Sequence, residues 1–234
     1  MIKKSSPPLQ VEISNKSILK MALPISMAIL IPQLNFVINN IFLGHFEQDS
    51  IALAVAGITG VYYLIFAAIG YGLNNGLQTL IARRAGENRP DEVGKLFGQG
   101  ILIGLLLALT GIILTYTLTP IVFGILIKDP TNLAKAIEFI QIRIWGLPFL
   151  YIYQLRNALL VGTNQSRYLV AGTIAEASSN VLLDYILIFG YAGIPALGFN
   201  GAAIASILAE AIGMLVIYWV ISRTGITRQF SLFA

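Results

Sequence analysis

The sequence predicts an all-α, polytopic membrane protein, a bundle of six transmembrane helices. Hydrophobic residues make up 56% of the 234 and charged residues only 11%, whereas soluble domains carry roughly a quarter charged. So few charges cannot coat a surface that faces water. Six long apolar stretches, at 18–44, 51–82, 96–127, 137–162, 168–190 and 200–222, each meet the roughly 20 residues that about 30 Å of hydrocarbon demands of a helix. None alternates in the short bursts of about 10 residues that mark a transmembrane β-strand. Helices also pair every backbone N–H and C=O within their own segment, as lipid requires.

Taken in order, residues 1–17 form a polar tail with Pro7 and Pro8. Lys3 and Lys4 precede no short apolar core with a small-residue cleavage site, so the first span is expected to double as the targeting signal. That span carries Pro24 and Pro32, which tend to kink a helix. It also holds Gln33, Asn35, Asn39 and Asn40. Amides in lipid can bridge neighbouring helices, but four of them beside a proline point to a cavity wall. In the second and third spans, Gly72 and Gly76, and Gly100 and Gly104, have helical spacing suited to close packing. The stretch "RRAGENRPDEVGK" (83–95) reads as a basic loop between those spans. Arg143 lies near the start of the fourth span and Arg156 near its end. The fifth carries Glu176, Asn180 and Asp184, and the last Ser206 and Glu210. The loops are brief, with no linker and no usable internal repeat, so 18–222 is expected to form one lobe. Residues 223–234 then begin a cytoplasmic connection.

The net charge of +4 is a topology signal. Lys3, Lys4, Lys16, Lys20, Arg83, Arg84, Arg89, Lys95, Arg156, Arg167, Arg223 and Arg228 fall on one side of a six-pass chain, leaving Lys128, Lys135 and Arg143. The positive-inside rule places both termini in the cytoplasm, which argues for a multi-pass protein of the cell (inner) membrane and against nucleic acid as a partner. Cysteine is absent, so disulfides and thiolate chemistry are excluded. An enzyme is not expected. The one histidine, His45, cannot supply an HExxH metal site, Asp184 is the only deep aspartate, and no aspartate–arginine cluster of a head-group transferase occurs.

Glu176, Asn180 and Asp184 are spaced i, i+4, i+8, which stacks them on one helical face about 12 Å long. Carboxylates at such depth are rare and mark an ion or substrate path, or else pair with Arg143 or Arg156 to hold the bundle. For Glu210 the sequence leaves both roles open. Counted from the span ends, Asn39, Asp184 and Ser206 sit at a common depth, about 7–9 Å below the outer boundary, with Asn180 one turn deeper. One carboxylate, two amide oxygens and a hydroxyl at one depth suit a hard cation, and Asp184 alone suits a proton. Glu176, Glu210, Gln33 and Asn35 extend a candidate substrate or ion path.

The segment "SSNVLLDYILIFGYAGIPALGFNGAAIAS" (178–206) closely resembles the fifth-to-sixth-helix signature of multidrug and toxic compound extrusion (MATE) transporters. "LPISMAILIPQLNFVINNIFLGH" (23–45) and "GLNNGLQTLIARRAGENRPDEVGK" (72–95) resemble the family's first helix and its second helix with the following loop. The resemblance implies a sodium- or proton-coupled antiporter that exports organic, often cationic, drugs and xenobiotics, with no cofactor beyond the coupling ion. It implies twelve helices in two six-helix lobes around a cleft. This chain supplies one lobe, so a carboxy-terminal lobe or a second chain is an expected partner, alongside the bilayer and a drug-like substrate. In the family's pattern Asn180 and Asp184 correspond to coupling-cation residues, and Ser206 stands where a threonine is usual. Asn39 stands where the family usually has an aspartate, which removes one lobe carboxylate yet leaves an oxygen for sodium. A flippase for lipid-linked oligosaccharide, from the same broad superfamily, is the alternative; few deep basic residues are present to line its cavity.

Overall fold

A computed structural model of the chain describes residues 15–46, 50–191 and 193–232. Among them every regular element is helical. These are α1 (Asn15–Phe46), α2 (Ser50–Gly86), α3 (Pro90–Leu126), α4 (Pro130–Arg143), α5 (Leu147–Gly162), α6 (Leu169–Phe189), α7 (Gly198–Arg223) and a short α8 (Ile226–Gln229), with single 3-10 turns at Ile144–Gly146 and Ser166–Tyr168. Together α4 and α5 make the fourth of six spans. The polar tail expected at 1–17 lies outside the described residues as far as residue 14.

At 37 residues each, α2 and α3 rise about 55 Å, well beyond a hydrocarbon core. The loop expected at 83–95 is therefore mostly helix, broken only at 87–89. Its residues explain why. Arg83 and Arg84 occupy the last turn of α2, and Pro90, Asp91 and Glu92 open α3, each charge favourably placed against the helix dipole. Asn88 takes the left-handed conformation that turns the chain (φ 61°), one that asparagine tolerates better than most residues. Glu87 accepts from Arg84 (2.7 Å) and Arg83 (3.2 Å), and Glu92 pairs with Arg84 (3.0 Å) and Arg89 (3.2 Å). The hydrogen bond from Arg84, then that from Arg83, holds the Glu87 carboxyl below its ordinary range.

The fourth span starts earlier than hydropathy suggests, because Asp129 caps α4 by accepting from the Asn132 N–H (2.9 Å) and Pro130 opens it. It breaks at Ile144–Gly146, just before Pro148, whose missing N–H and ring disfavour an unbroken helix. At the end of α6, Gly190 adopts the left-handed conformation (φ 76°) that an L side chain resists, and its N–H and that of Tyr191 both return to the Ile186 carbonyl.

Three apolar clusters fill the bundle. At the end carrying the basic turns, Ile81, Val93, Phe97, Leu159 and Ile221 pack together; Phe66, Ala108, Ile112, Leu147 and Tyr151 form the middle; Phe123, Ile140, Ile188 and Phe199 close the opposite end. The chain after α7 joins the first cluster. Ile226, Phe230 and Leu232 are buried there, the Phe230 carbonyl lies directly over Gly94, and the Ser231 hydroxyl donates to Asp91 (3.1 Å).

Outward, α3 presents Leu102, Leu106, Leu109, Ile113, Ile121 and Ile125, all exposed, as a surface in contact with lipid should. Three segments, Val55–Gly86, Pro90–Leu126 and Gly198–Arg223, are long and apolar enough on their own to cross a membrane. The fourth span is divided by its break, and α6 is diluted by its polar stripe. With no hydrophobic drive between helices in lipid, small residues set the packing. A Cβ at Gly100 would lie 2.8 Å from Leu77, and one at Gly104 would lie 2.8 Å from Leu155. Gly72 and Gly76 do not share this role. Nothing lies within 4 Å of a Cβ at either, because both point away from the neighbouring helices.

Candidate functional site: the α6–α7 seam

The lobe's polar residues gather where α6 packs antiparallel on α7. Glycines on both helices allow the approach and fix its register: Gly201 lies against the Leu187 carbonyl, Gly213 against the Glu176 side chain and Gly172 against Ile217. Each pair has nearly the same sum of residue numbers, so Asp184 stands level with Ala205 and Ser206 with Leu183. Asp184 and Ser206 thus share a depth to within about one residue rise. Ser206 is half-buried.

On α6, Ile174, Ser178, Leu182 and Tyr185 form the exposed face, whereas Asn180 (5% exposed) and Asp184 (0%) are buried. The polar stripe therefore points into the lobe, toward α7 and α1, and away from the outer surface. An open groove of about 580 Å³ runs along the other face, lined by Phe42, Ala177, Ser178, Val181, Leu182 and Tyr185. Glu176 is half-buried, with its Oε2 sealed from solvent. The backbone of α1 passes alongside α6, but the side chains of Gln33, Asn35 and Asn39 lie outside the described ones.

Glu210 does not join the stripe of α6. Arg143, at the end of α4, donates to both of its carboxylate oxygens (3.1 and 2.5 Å), and the Tyr63 hydroxyl adds a longer bond (3.4 Å). The guanidinium lies 3.9 Å over the Tyr63 ring. The break in the fourth span makes this geometry accessible. Gly146 lies so close to the ion pair that a Cβ would collide with both the Arg143 guanidinium and the Glu210 carboxylate. Of the two roles open to Glu210, the structure favours the ion pair. The Arg143 charge also reaches Asp184 and Glu176 electrostatically.

Sequence reasoning named Arg143 as a candidate partner but missed Tyr63, whose ring supports it from α2. It also missed the setting of Arg156, which is 8% exposed, donates to the Met214 carbonyl (2.5 Å) and lies 5.1 Å from the Tyr218 ring centre. Neither contact has a short-range sequence signal, because each joins helices far apart in the chain.

Relatives share this lobe. The chain is 30% identical over 219 residues, 93% of its own length, to a probable multidrug resistance protein NorM of Synechocystis sp.. It is 27% identical to a probable NorM of Thermotoga maritima over 89% of its length, and 25% identical to the multidrug resistance protein MdtK of Yersinia pestis over 89%. It covers 47%, 44% and 45% of those proteins, so it spans about half the length of the curated relatives it matches. Among solved structures, a MOP superfamily transporter from Pyrococcus furiosus superposes with a TM-score of 0.84 at 20% identity, over 94% of this chain and 48% of the other. An outward-facing multidrug resistance MATE family transporter superposes at 0.81 and 21% identity, over 95% and 49%. These likenesses show the fold, a six-helix lobe. The MatE family model matches residues 24–186, and the chain belongs to that family.

Proposed function

We propose that the chain is the amino-terminal lobe of a cation-coupled antiporter that exports organic, often cationic, drugs and xenobiotics, with Asp184 at the centre of its sodium or proton site. The observation that carries this reading is the fully buried Asp184 on the inner face of α6, in a lobe whose relatives include multidrug resistance proteins. An intramembrane carboxylate on a bundle interior marks an ion pathway by default. Asn180, one turn below it, and Ser206, level with it on α7, supply further oxygens, and Asn39 is the expected contribution of α1. A second lobe or chain completes the cleft, since alternating access moves two bodies against each other. Both termini are cytoplasmic in the inner membrane by the distribution of basic residues. The flippase alternative gains no support from the seam. Arg143 is engaged by Glu210, and Arg156 by Met214 and Tyr218, so neither is left to line a cationic cavity.

The test is substrate efflux against pH and sodium by the two-lobed transporter in proteoliposomes, for the native lobe and for Asp184→Asn and Asn39→Asp. A coupling ion drives transport only through its differential affinity for two states, so Asp184→Asn is expected to abolish coupling. Asn39→Asp adds a second carboxylate to the expected ion site and is expected to steepen the pH dependence. Unchanged coupling in Asp184→Asn overturns the assignment.

A further inference from the structure

Glu176 poses a problem that neither Asp184 nor the ion pair solves. It projects from α6 into the seam about 12 Å from Asp184 along the helix, and its Oε2 is sealed from solvent with no hydrogen-bond partner. Gly213 leaves the space that admits it: a Cβ there would lie 2.9 Å from the Glu176 Cβ and 3.3 Å from Oε2. An ionised carboxylate with one oxygen sealed from water and unbonded is stabilised by a compensating charge.

The surrounding elements supply none in contact with it, and the Arg143 charge reaches it only from a distance. From α7 comes Glu210, another acid. From α4 comes Arg143, held on both of its arms by Glu210. From α2 comes the phenol Tyr71, and from α5 Tyr153, whose neutral hydroxyl also reaches the Glu176 carboxyl, and the guanidinium of Arg156, the latter turned to Met214 and Tyr218. The only titratable residues of α1 are Lys16, Lys20 and His45, at its two ends. On α6 itself the other titratable groups are Asp184 and Tyr185, the latter on the exposed face. Among the described residues Glu176 makes no ion pair.

A metal ion is less well served than a proton, because a hard cation gathers several oxygen ligands and no group of three His, Cys, Asp or Glu side chains occurs among the described residues. The nearby Thr173 hydroxyl is occupied by the Leu169 carbonyl (3.1 Å) and the Tyr153 hydroxyl (2.9 Å). A proton needs a single oxygen.

We propose that Glu176 is a proton-binding site in its own right, separate from the Asp184 site and nearer the end of the lobe that carries the basic turns. The carboxylate takes one proton from that side to become a neutral acid and returns it as a carboxylate, with no other bond changed. Glu210 takes no part, because Arg143 already neutralises it. The inference stands whether or not Asp184 couples transport.

The experiment follows the carbonyl stretch of protonated carboxylic acids by infrared difference spectroscopy, with the chain in lipid nanodiscs titrated across pH, alongside the number of protons bound. Glu176→Gln is expected to remove one protonated-carboxyl band and one bound proton. Asp184→Asn is expected to leave that band in place, and added sodium to leave its titration unmoved. Identical bands and proton counts in Glu176→Gln and the native chain overturn the proposal, as does displacement of the proton by sodium. Glutamine copies the shape of the neutral acid, so failure of Glu176→Gln to fold contradicts it too.

Discussion

Glu210 and Glu176 face each other across one helix seam, within about one turn in depth, and the lobe treats them differently. Glu210 receives a tethered cation, both arms of Arg143, with Tyr63 beneath. Glu176 receives close glycine packing and no cation among the described residues. A charge paired with a side chain of the same lobe is a fastener, since its compensation stays with the protein. A carboxylate without such a partner is, on the proposal above, neutralised by a proton from solution. The difference follows the helices: the fastened acid stands on α7, and Glu176 on α6.

The largest effect expected is on the fastener. Removing one member of a buried ion pair typically costs about 3–5 kcal/mol. Arg143→Met should lower stability by that order in chemical unfolding of the micelle-embedded chain. The double variant Arg143→Met, Glu210→Leu should recover most of the loss, because well-packed apolar replacements of a whole buried pair are often neutral or stabilising. A double variant as unstable as the single one would show that the pair does more than fasten.

Next comes the glycine that admits Glu176. Gly213→Ala places a methyl against the Glu176 side chain, and overpacking of this kind costs about 1–3 kcal/mol. Shortening the opposing residue in Gly213→Ala, Glu176→Ala should relieve the clash, which a double-mutant cycle measures.

A smaller effect is expected at Tyr63. Phenylalanine keeps the ring under Arg143 and removes only the 3.4 Å bond to Glu210. Hydrogen bonds between membrane helices average about 0.6 kcal/mol, and a loss of that order in the same unfolding assay is the expectation.

The smallest lies at the turn between α2 and α3. The folded-state carboxyl of Glu87 titrates below its ordinary value because Arg84 and Arg83 hold it ionised. Its contribution is fully present above the unfolded value and is lost as pH falls through the lower, folded one. Near-neutral pH should leave the turn unaffected, with loosening only on acidification below the usual carboxylate range, read by amide hydrogen exchange at 87–92.

The six apolar stretches became the six spans because hydropathy reports lipid contact directly. The ends were less legible. Helix continues through Arg83–Gly86 and resumes at Pro90 because charges suited to the dipole and an N-terminal proline outweigh polarity, and the fourth span breaks where Pro148 follows Gly146. At the seam, the i, i+4, i+8 spacing of Glu176, Asn180 and Asp184 marked one face of α6 in advance. That this face turns inward depends on rotation about the helix axis, which was set by glycines on two helices and not by spacing on one. Arg143 and Glu210 are far apart in the chain, so their pairing was one option among several until the helices were placed.

On the proposed function, cation coupling resides in the α6 stripe at Asp184 and not in the Arg143–Glu210 fastener. The direct measurement is ion-driven substrate efflux by the two-lobed transporter in proteoliposomes, comparing Asp184→Asn with the double variant Arg143→Met, Glu210→Leu. Asp184→Asn is expected to lose its dependence on the sodium or proton gradient while the double variant keeps it. Coupling retained in Asp184→Asn and lost in the double variant would contradict it.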